Sequence, residues 1–123
     1  MHETINVINL NIVMAQINLF VGDISGNVER VLHEADRAKQ EGAKAVVFPE
    51  LTLTGYPPED LLHRKDLDFR IEQALSKLLS SPVLHDQYII LGYPKRIDGE
   101  LYNAAGGSLS RRDYCSVLQT ILT

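Results

Sequence analysis

Aliphatic side chains recur along the start of the chain with asparagines between them. Val7, Ile8, Leu10, Ile12, Val13, Ile17 and Leu19 predict a strand over Val7–Leu19, which Gly22-Asp23 ends. The period then changes. Val28, Val31, Leu32, Ala35 and Ala38 fall on one face at helical spacing, and Glu29, Arg30, Glu34, Asp36 and Arg37 fall on the other. Ser25 or Asn27 is the expected cap of this helix and Gly42 its stop. Ala45-Val46-Val47-Phe48 is short, continuously apolar and followed by proline, the pattern of a strand buried on both faces. Strand, helix, strand predicts a right-handed βαβ unit with a parallel pair. Pro58–Arg64 reads as a short helix with proline in its first turn. Leu67–Leu79 reads as an amphipathic helix with Leu67, Ile71, Leu75, Leu78 and Leu79 inward. Tyr88–Leu91 is a third buried strand, and Asp98-Gly99 marks a hairpin into a strand around Leu101–Ala105. The fold class is α/β.

Composition narrows the function classes. The chain has 123 residues, enough for one small domain, with 45% hydrophobic and 23% charged residues. A net charge of −4 disfavours nucleic acid and anionic membrane as partners, since both select a basic face. The single cysteine, Cys115, excludes an internal disulfide framework and suits a reducing cytoplasm. No basic lead precedes a continuous apolar core, so no signal peptide is expected, and no apolar run is long enough to span a bilayer.

The chemistry concentrates in Phe48-Pro49-Glu50-Leu51-Thr52-Leu53-Thr54-Gly55-Tyr56-Pro57-Pro58-Glu59-Asp60. Glu50 lies just past the carboxyl end of a buried strand, the edge at which open α/β sheets bind ligands. With Phe48, Leu51 and Leu53 as walls, its carboxylate is expected to be partly desolvated, which suits a general base. Pro49 and Gly55 impose an irregular backbone that aims the side chain. Spacing alone favours the plainer reading of Glu50 as a loop carboxylate or a helix cap.

Ala15-Gln16, Gly22-Asp23, Gly26-Asn27, Gly42-Ala43 and the Phe48-Pro49-Glu50 turn together resemble the opening of the nitrilase, or carbon–nitrogen hydrolase, superfamily. Gly55-Tyr56-Pro57-Pro58-Glu59-Asp60-Leu61-Leu62 is narrower and is similar to the glutaminase domains of NAD synthetases. The resemblance runs from about Ile12 to about Ala105 and takes in Tyr102-Asn103-Ala104-Ala105. It implies part of a four-layer α-β-β-α sandwich. It also implies a catalytic set of glutamate base, lysine and cysteine nucleophile, with Glu50 as the glutamate. Phe48 and Tyr56 become candidates for the substrate pocket, although a buried aromatic with a satisfied hydroxyl explains Tyr56 equally well. The implied substrate is glutamine. The implied partner is a synthetase domain, normally in the same chain, where ATP and magnesium would act. A homo-oligomer is expected of the complete protein, and no cofactor of this chain itself. A stand-alone nitrilase-type amidase and a non-catalytic remnant or binding module are the alternatives.

The other reactive residues carry less. His2, His33, His63 and His85 are scattered without metal-ligand spacing. Gly92-Tyr93-Pro94 puts backbone at the same sheet edge as Glu50, where it lines a pocket or simply turns the chain. Arg111-Arg112 reads as solvated. No lysine follows Lys95, and the family's cysteine is expected beyond its lysine, so Cys115 reads as an inert thiol. Residues 1–107 are therefore taken as the N-terminal part of the hydrolase domain, and 108–123 as an anomalous tail with neither clean period and no element to pack against. The chain alone is expected to be a truncated, inactive fragment, poorly ordered from Ser108 onward. A one-base slip near Gly106 would account for the tail, and a native short C-terminus unlike the family is the competing reading. Read one base later, the codons of Asp113 and Tyr114 yield only isoleucine or threonine. Gln119-Thr120 then yields lysine or arginine, as the family's lysine run requires.

Overall fold

The computed structural model describes residues 10–55, 64–84, 87–108 and 115–121. The elements follow the order β1 (Ile12–Met14), α1 (Ile24–Gln40), β2 (Ala45–Val47), α2 (Leu67–Ser80), a 3-10 turn (Pro82–Leu84), β3 (Tyr88–Ile97), β4 (Glu100–Ser108) and β5 (Cys115–Ile121). The five strands form one sheet in chain order. β1, β2 and β3 are parallel, with Val13, Val46 and Ile89 in register, and β3, β4 and β5 are antiparallel.

The topology decides where the core sits. From β1 to β2 and from β2 to β3 the chain steps the same way across the sheet. Two right-handed crossovers in one direction put both helices on one face. Side-chain burial agrees. α1 buries Ile24, Val28, Val31, Ala35 and Ala38, and α2 buries Leu67, Ile71, Ala74 and Leu78. These join Val46, Ile89, Leu91, Tyr93 and Ala104 in a single cluster. Each fully buried valine or leucine there contributes about 1.5–3 kcal/mol relative to exposure. The opposite face of the sheet is apolar and open. Ile12, Met14, Tyr88 and Ile90 alternate with the core positions and are all exposed. The described residues thus build one helix layer and one sheet layer of the expected α/β sandwich.

Several local expectations are corrected. Of the expected Val7–Leu19 strand, residues 7–9 lie outside the described residues, and within the rest β1 is confined to Ile12–Met14, because from Ala15 the chain leaves the ladder after one last bond to Val47 and turns back toward α1. The cap of α1 is Asp23, whose carboxylate accepts from the Gly26 N–H at 3.1 Å, and not Ser25 or Asn27. Asn27 is fully buried inside the first turns of the helix. β2 is buried on one side by Val46 and on the other at Ala45, with Val47 partly exposed. β3 continues well past Leu91 to Ile97 and meets β4 through Asp98-Gly99, both with positive φ (51° and 84°). That is the geometry of a two-residue hairpin turn. The tail also departs from expectation. Ser108 ends β4, and Cys115–Ile121 pairs antiparallel with that strand. β4 would otherwise present a row of unpaired backbone groups, which is itself a partner for any extended segment. Val117, Thr120 and Ile121 suit that pairing. The expected helix over Pro58–Arg64 lies almost wholly outside the described residues.

Candidate functional site

The turn that carries Glu50 is fixed by the sheet edge beneath it. The Phe48 N–H donates to the Ile90 carbonyl at 2.8 Å and continues the β2–β3 ladder. The chain then crosses over β3, and the Leu53 N–H returns to the Gly92 carbonyl at 3.3 Å. Between these tethers the backbone passes close above Gly92. A Cβ at Gly92 would meet the Leu51 nitrogen at 2.6 Å and the Glu50 Cα at 3.2 Å. Glycine is required there for backbone approach, because its φ lies outside the left-handed region. Leu51 has φ of 51°, a strained conformation for a bulky residue of the kind that persists where surrounding structure over-determines it.

The turn satisfies itself with hydroxyls. Thr52 Oγ1 donates to the Pro49 carbonyl, and Thr54 Oγ1 lies 3.3 Å from the Leu51 carbonyl and 3.1 Å from that of Gly55. Both threonines are fully buried. Behind the turn, Asn27 joins it to the loop before α1. Its Nδ2 donates to the carbonyls of Phe20 (2.8 Å) and Leu53 (3.1 Å), and its Oδ1 accepts from the Phe20 N–H (3.0 Å). The Gly22 N–H donates to the Thr54 carbonyl at 2.9 Å, and Arg70 of α2 donates to the Gly22 carbonyl at 3.0 Å. Gly55, at φ 77°, leaves no room for a Cβ against Val21.

Glu50 itself is exposed, which corrects the expected desolvation. Its intended walls turn away from it. Two residues beyond Val46, Phe48 keeps that residue's side of the strand and is buried in the helix-side core, where Leu53 also packs. Leu51 is buried as well. The described partner of the carboxylate comes from β4, where the Asn103 Nδ2 donates to Glu50 Oε1. Asn103 is 2% exposed and pairs with Pro94 across the hairpin. By strand alternation it shares the face of Gly92, Ile90 and Tyr88, the one without helices. Glu50 and Asn103 therefore stand at the rim of the open apolar face.

The remaining sequence candidates separate from this centre. Tyr56 lies outside the described residues. Gly92 lies directly beneath the turn, whereas Tyr93 points into the core. Cys115 begins β5 opposite Gly107, four residues along β4 from Asn103, or about 13 Å at strand rise. His33 is exposed on α1, and His2, His63 and His85 fall outside the described residues. Among the described residues no group of three His, Cys, Asp or Glu could hold a metal, and no helix is long and apolar enough to cross a membrane. Sequence reasoning did not single out Asn103 or the bridging role of Asn27. A polar amide beside Ala104-Ala105 in a strand, where asparagine is disfavoured, was the available signal for the first.

Comparison with known proteins places this geometry. The carbon–nitrogen hydrolase model matches residues 11–106, from β1 into β4. The glutamine-dependent NAD(+) synthetase of Aquifex aeolicus is 37% identical over 95 residues, which are 77% of this chain and 16% of that protein. The corresponding protein of Acinetobacter baylyi is 34% identical over 98 residues, 79% of this chain and 18% of its own length. The chain thus spans less than a fifth of the curated relatives it matches. The solved glutamine-dependent NAD+ synthetase of Acinetobacter baumannii, in complex with ADP, superposes with a TM-score of 0.74 at 32% identity, over 79% of this chain and 18% of that one. An amidase from Nesterenkonia sp. shares the fold with a TM-score of 0.78 at 20% identity, over 89% of this chain and 42% of its own. With its β-α-β core, its Phe-Pro-Glu turn and the match from residue 11 to 106, the chain belongs to the carbon–nitrogen hydrolase family.

Proposed function

We propose that this segment supplies the general base for hydrolysis of the glutamine side-chain amide, with the released ammonia used in NAD synthesis from nicotinic acid adenine dinucleotide. The observation that carries the reading is Glu50. Its carboxylate stands past the end of β2, on a turn fixed by Gly92 and Asn27, with one oxygen held by Asn103. The relatives named for glutamine-dependent NAD synthesis support the substrate.

In the reaction, Glu50 accepts the proton of a cysteine thiol as the sulfur bonds to the amide carbon. Glu50 then returns that proton to the leaving nitrogen as the carbon–nitrogen bond breaks. A water molecule attacks the thioester, again giving its proton to Glu50, and glutamate leaves as the thiol is restored. A lysine and backbone donors stabilise the oxyanion. Neither the thiol nor the lysine is assigned to a residue of this chain, which has no lysine after Lys95 and only Cys115, placed about 13 Å along β4 from Asn103. ATP and magnesium belong, on this reading, to a synthetase domain that these residues do not form. The single cysteine supports a reducing, cytoplasmic setting.

The test places residues 11–106 in the Aquifex aeolicus synthetase in exchange for its matching segment. The chimera should make NAD from glutamine and from added ammonia. Glu50→Gln should abolish the first activity and leave the second, because added ammonia bypasses the amidase site. Equal loss of both, or a chimera active with ammonia alone, overturns the assignment. The 123-residue chain by itself should hydrolyse no glutamine above background, and turnover that Cys115→Ala removes would overturn that.

A further inference from the structure

The carboxamide of Asn103 has features that packing alone does not explain. It is 2% exposed, in a strand whose next residue, Ala104, is fully buried in the core. Its Nδ2 donates to Glu50 Oε1 across 53 positions of sequence. Its Oδ1 is buried and has no hydrogen-bond partner among the described residues. Leaving a buried amide oxygen unpaired is destabilising. Turning the amide over would set that oxygen against the carboxylate, acceptor against acceptor, and would lose the charge-assisted bond. The charge-assisted hydrogen bond to Glu50 therefore fixes the amide orientation at the expense of its other atom. The β4–β5 register shifts beside Asn103, where β5 carries one extra residue between Leu118 and Thr120.

We infer that Asn103 is the positioning residue for Glu50: by holding Oε1 it leaves Oε2 as the oxygen that takes and returns the proton. The inference rests on the reading of Glu50 as the base. An exposed carboxylate otherwise rotates among rotamers and presents either oxygen. A single fixed donor from a paired strand removes that freedom, and the strained turn at Leu51 delivers the carboxylate to it. The interaction matters only when the proton moves, so its loss should fall on kcat and not on KM.

Two measurements test this. In the 123-residue chain, one side-chain amide proton of Asn103 should resonate downfield in a nitrogen–proton NMR spectrum, and Glu50→Gln should remove that displacement. In the chimera, Asn103→Ala and Asn103→Leu should each lower glutamine-dependent kcat by about 100-fold at similar KM. Ammonia-dependent synthesis should persist in each, which certifies the synthetase part, and the unchanged KM for glutamine certifies the amidase site. Leucine fills the site without a donor, so a packing role would be rescued by it. An amide resonance indifferent to Glu50→Gln, or kcat retained in the leucine variant, overturns the inference. If Glu50→Gln itself leaves glutamine-dependent activity intact, the base assignment fails first. If Glu50→Gln abolishes that activity and the Asn103 variants do not lower it, the positioning role alone fails.

Discussion

Gly92→Ala adds one methyl group at the point where the Glu50 turn crosses β3. The new carbon would lie 2.6 Å from the Leu51 nitrogen, 3.2 Å from the Glu50 Cα and 3.3 Å from its carbonyl carbon. Ordinary contact begins near 3.4 Å, so the shortest of these is about 0.8 Å too close. All three neighbours are backbone, and rotamer changes cannot relieve them. The turn is also tethered on both sides, by Phe48 to Ile90 and by Leu53 to Gly92. The turn must therefore lift as a unit or break the Leu53 bond. Overpacking of this kind costs about 1–3 kcal/mol. With a urea m-value of roughly 1–3 kcal/mol/M, the unfolding midpoint should fall by about 1 M. Gly42→Ala is the matched control. A Cβ there meets nothing within 4 Å, and the cost comes only from its φ of 83°. Gly42→Ala should thus destabilise by about 1–2 kcal/mol without touching the site. The two variants separate in the second readout. A lift of nearly 1 Å carries the Glu50 carboxylate away from Asn103, so Gly92→Ala should also lower glutamine-dependent kcat of the chimera by about 100-fold. Gly42→Ala should leave kcat unchanged. A Gly92→Ala protein with an unaltered urea midpoint and full kcat would refute the account of how the turn is held.

Two further outcomes are expected. Asn27→Ala strands the Phe20 N–H and the Leu53 carbonyl, both bonded to a fully buried amide, and should cost about 2–5 kcal/mol in urea unfolding; a loss below 0.5 kcal/mol would show that solvent replaces those bonds. The open sheet face should bind a hydrophobic dye and drive self-association of the 123-residue chain, and Met14→Lys with Ile90→Thr should reduce both in dye titration and sedimentation; unchanged association would locate the sticky surface elsewhere.

Periodicity alone made much of the fold legible. The helix-spaced apolar residues Val28, Val31, Ala35 and Ala38, and Leu67, Ile71 and Leu78, are buried as their spacing requires, because a helix can shield only one stripe. Asp98-Gly99 announced its hairpin, since a two-residue turn demands positive φ at both positions. The Phe-Pro-Glu turn and the motifs around it were enough to identify the family from residues alone. The sequence also located Glu50 at a strand end, because a proline directly after an apolar run stops the ladder there.

Tertiary structure decided the rest, because it depends on groups far apart in the chain. No local pattern could show that Phe48 and Leu53 turn into the core and leave Glu50 exposed, since each is an apolar neighbour in sequence whichever way it points. Asn27 looked like a helix cap, and only the approach of Phe20 and Leu53 made it a buried bridge. Gly92 looked like turn chemistry until another segment's backbone lay across it. Cys115–Ile121 has a weak intrinsic pattern and becomes a strand because β4 offers unpaired hydrogen-bonding groups. The pairing of Glu50 with Asn103 joins β4 to the end of β2, and it exists only once the intervening strand β3 has placed both on the same face of the sheet.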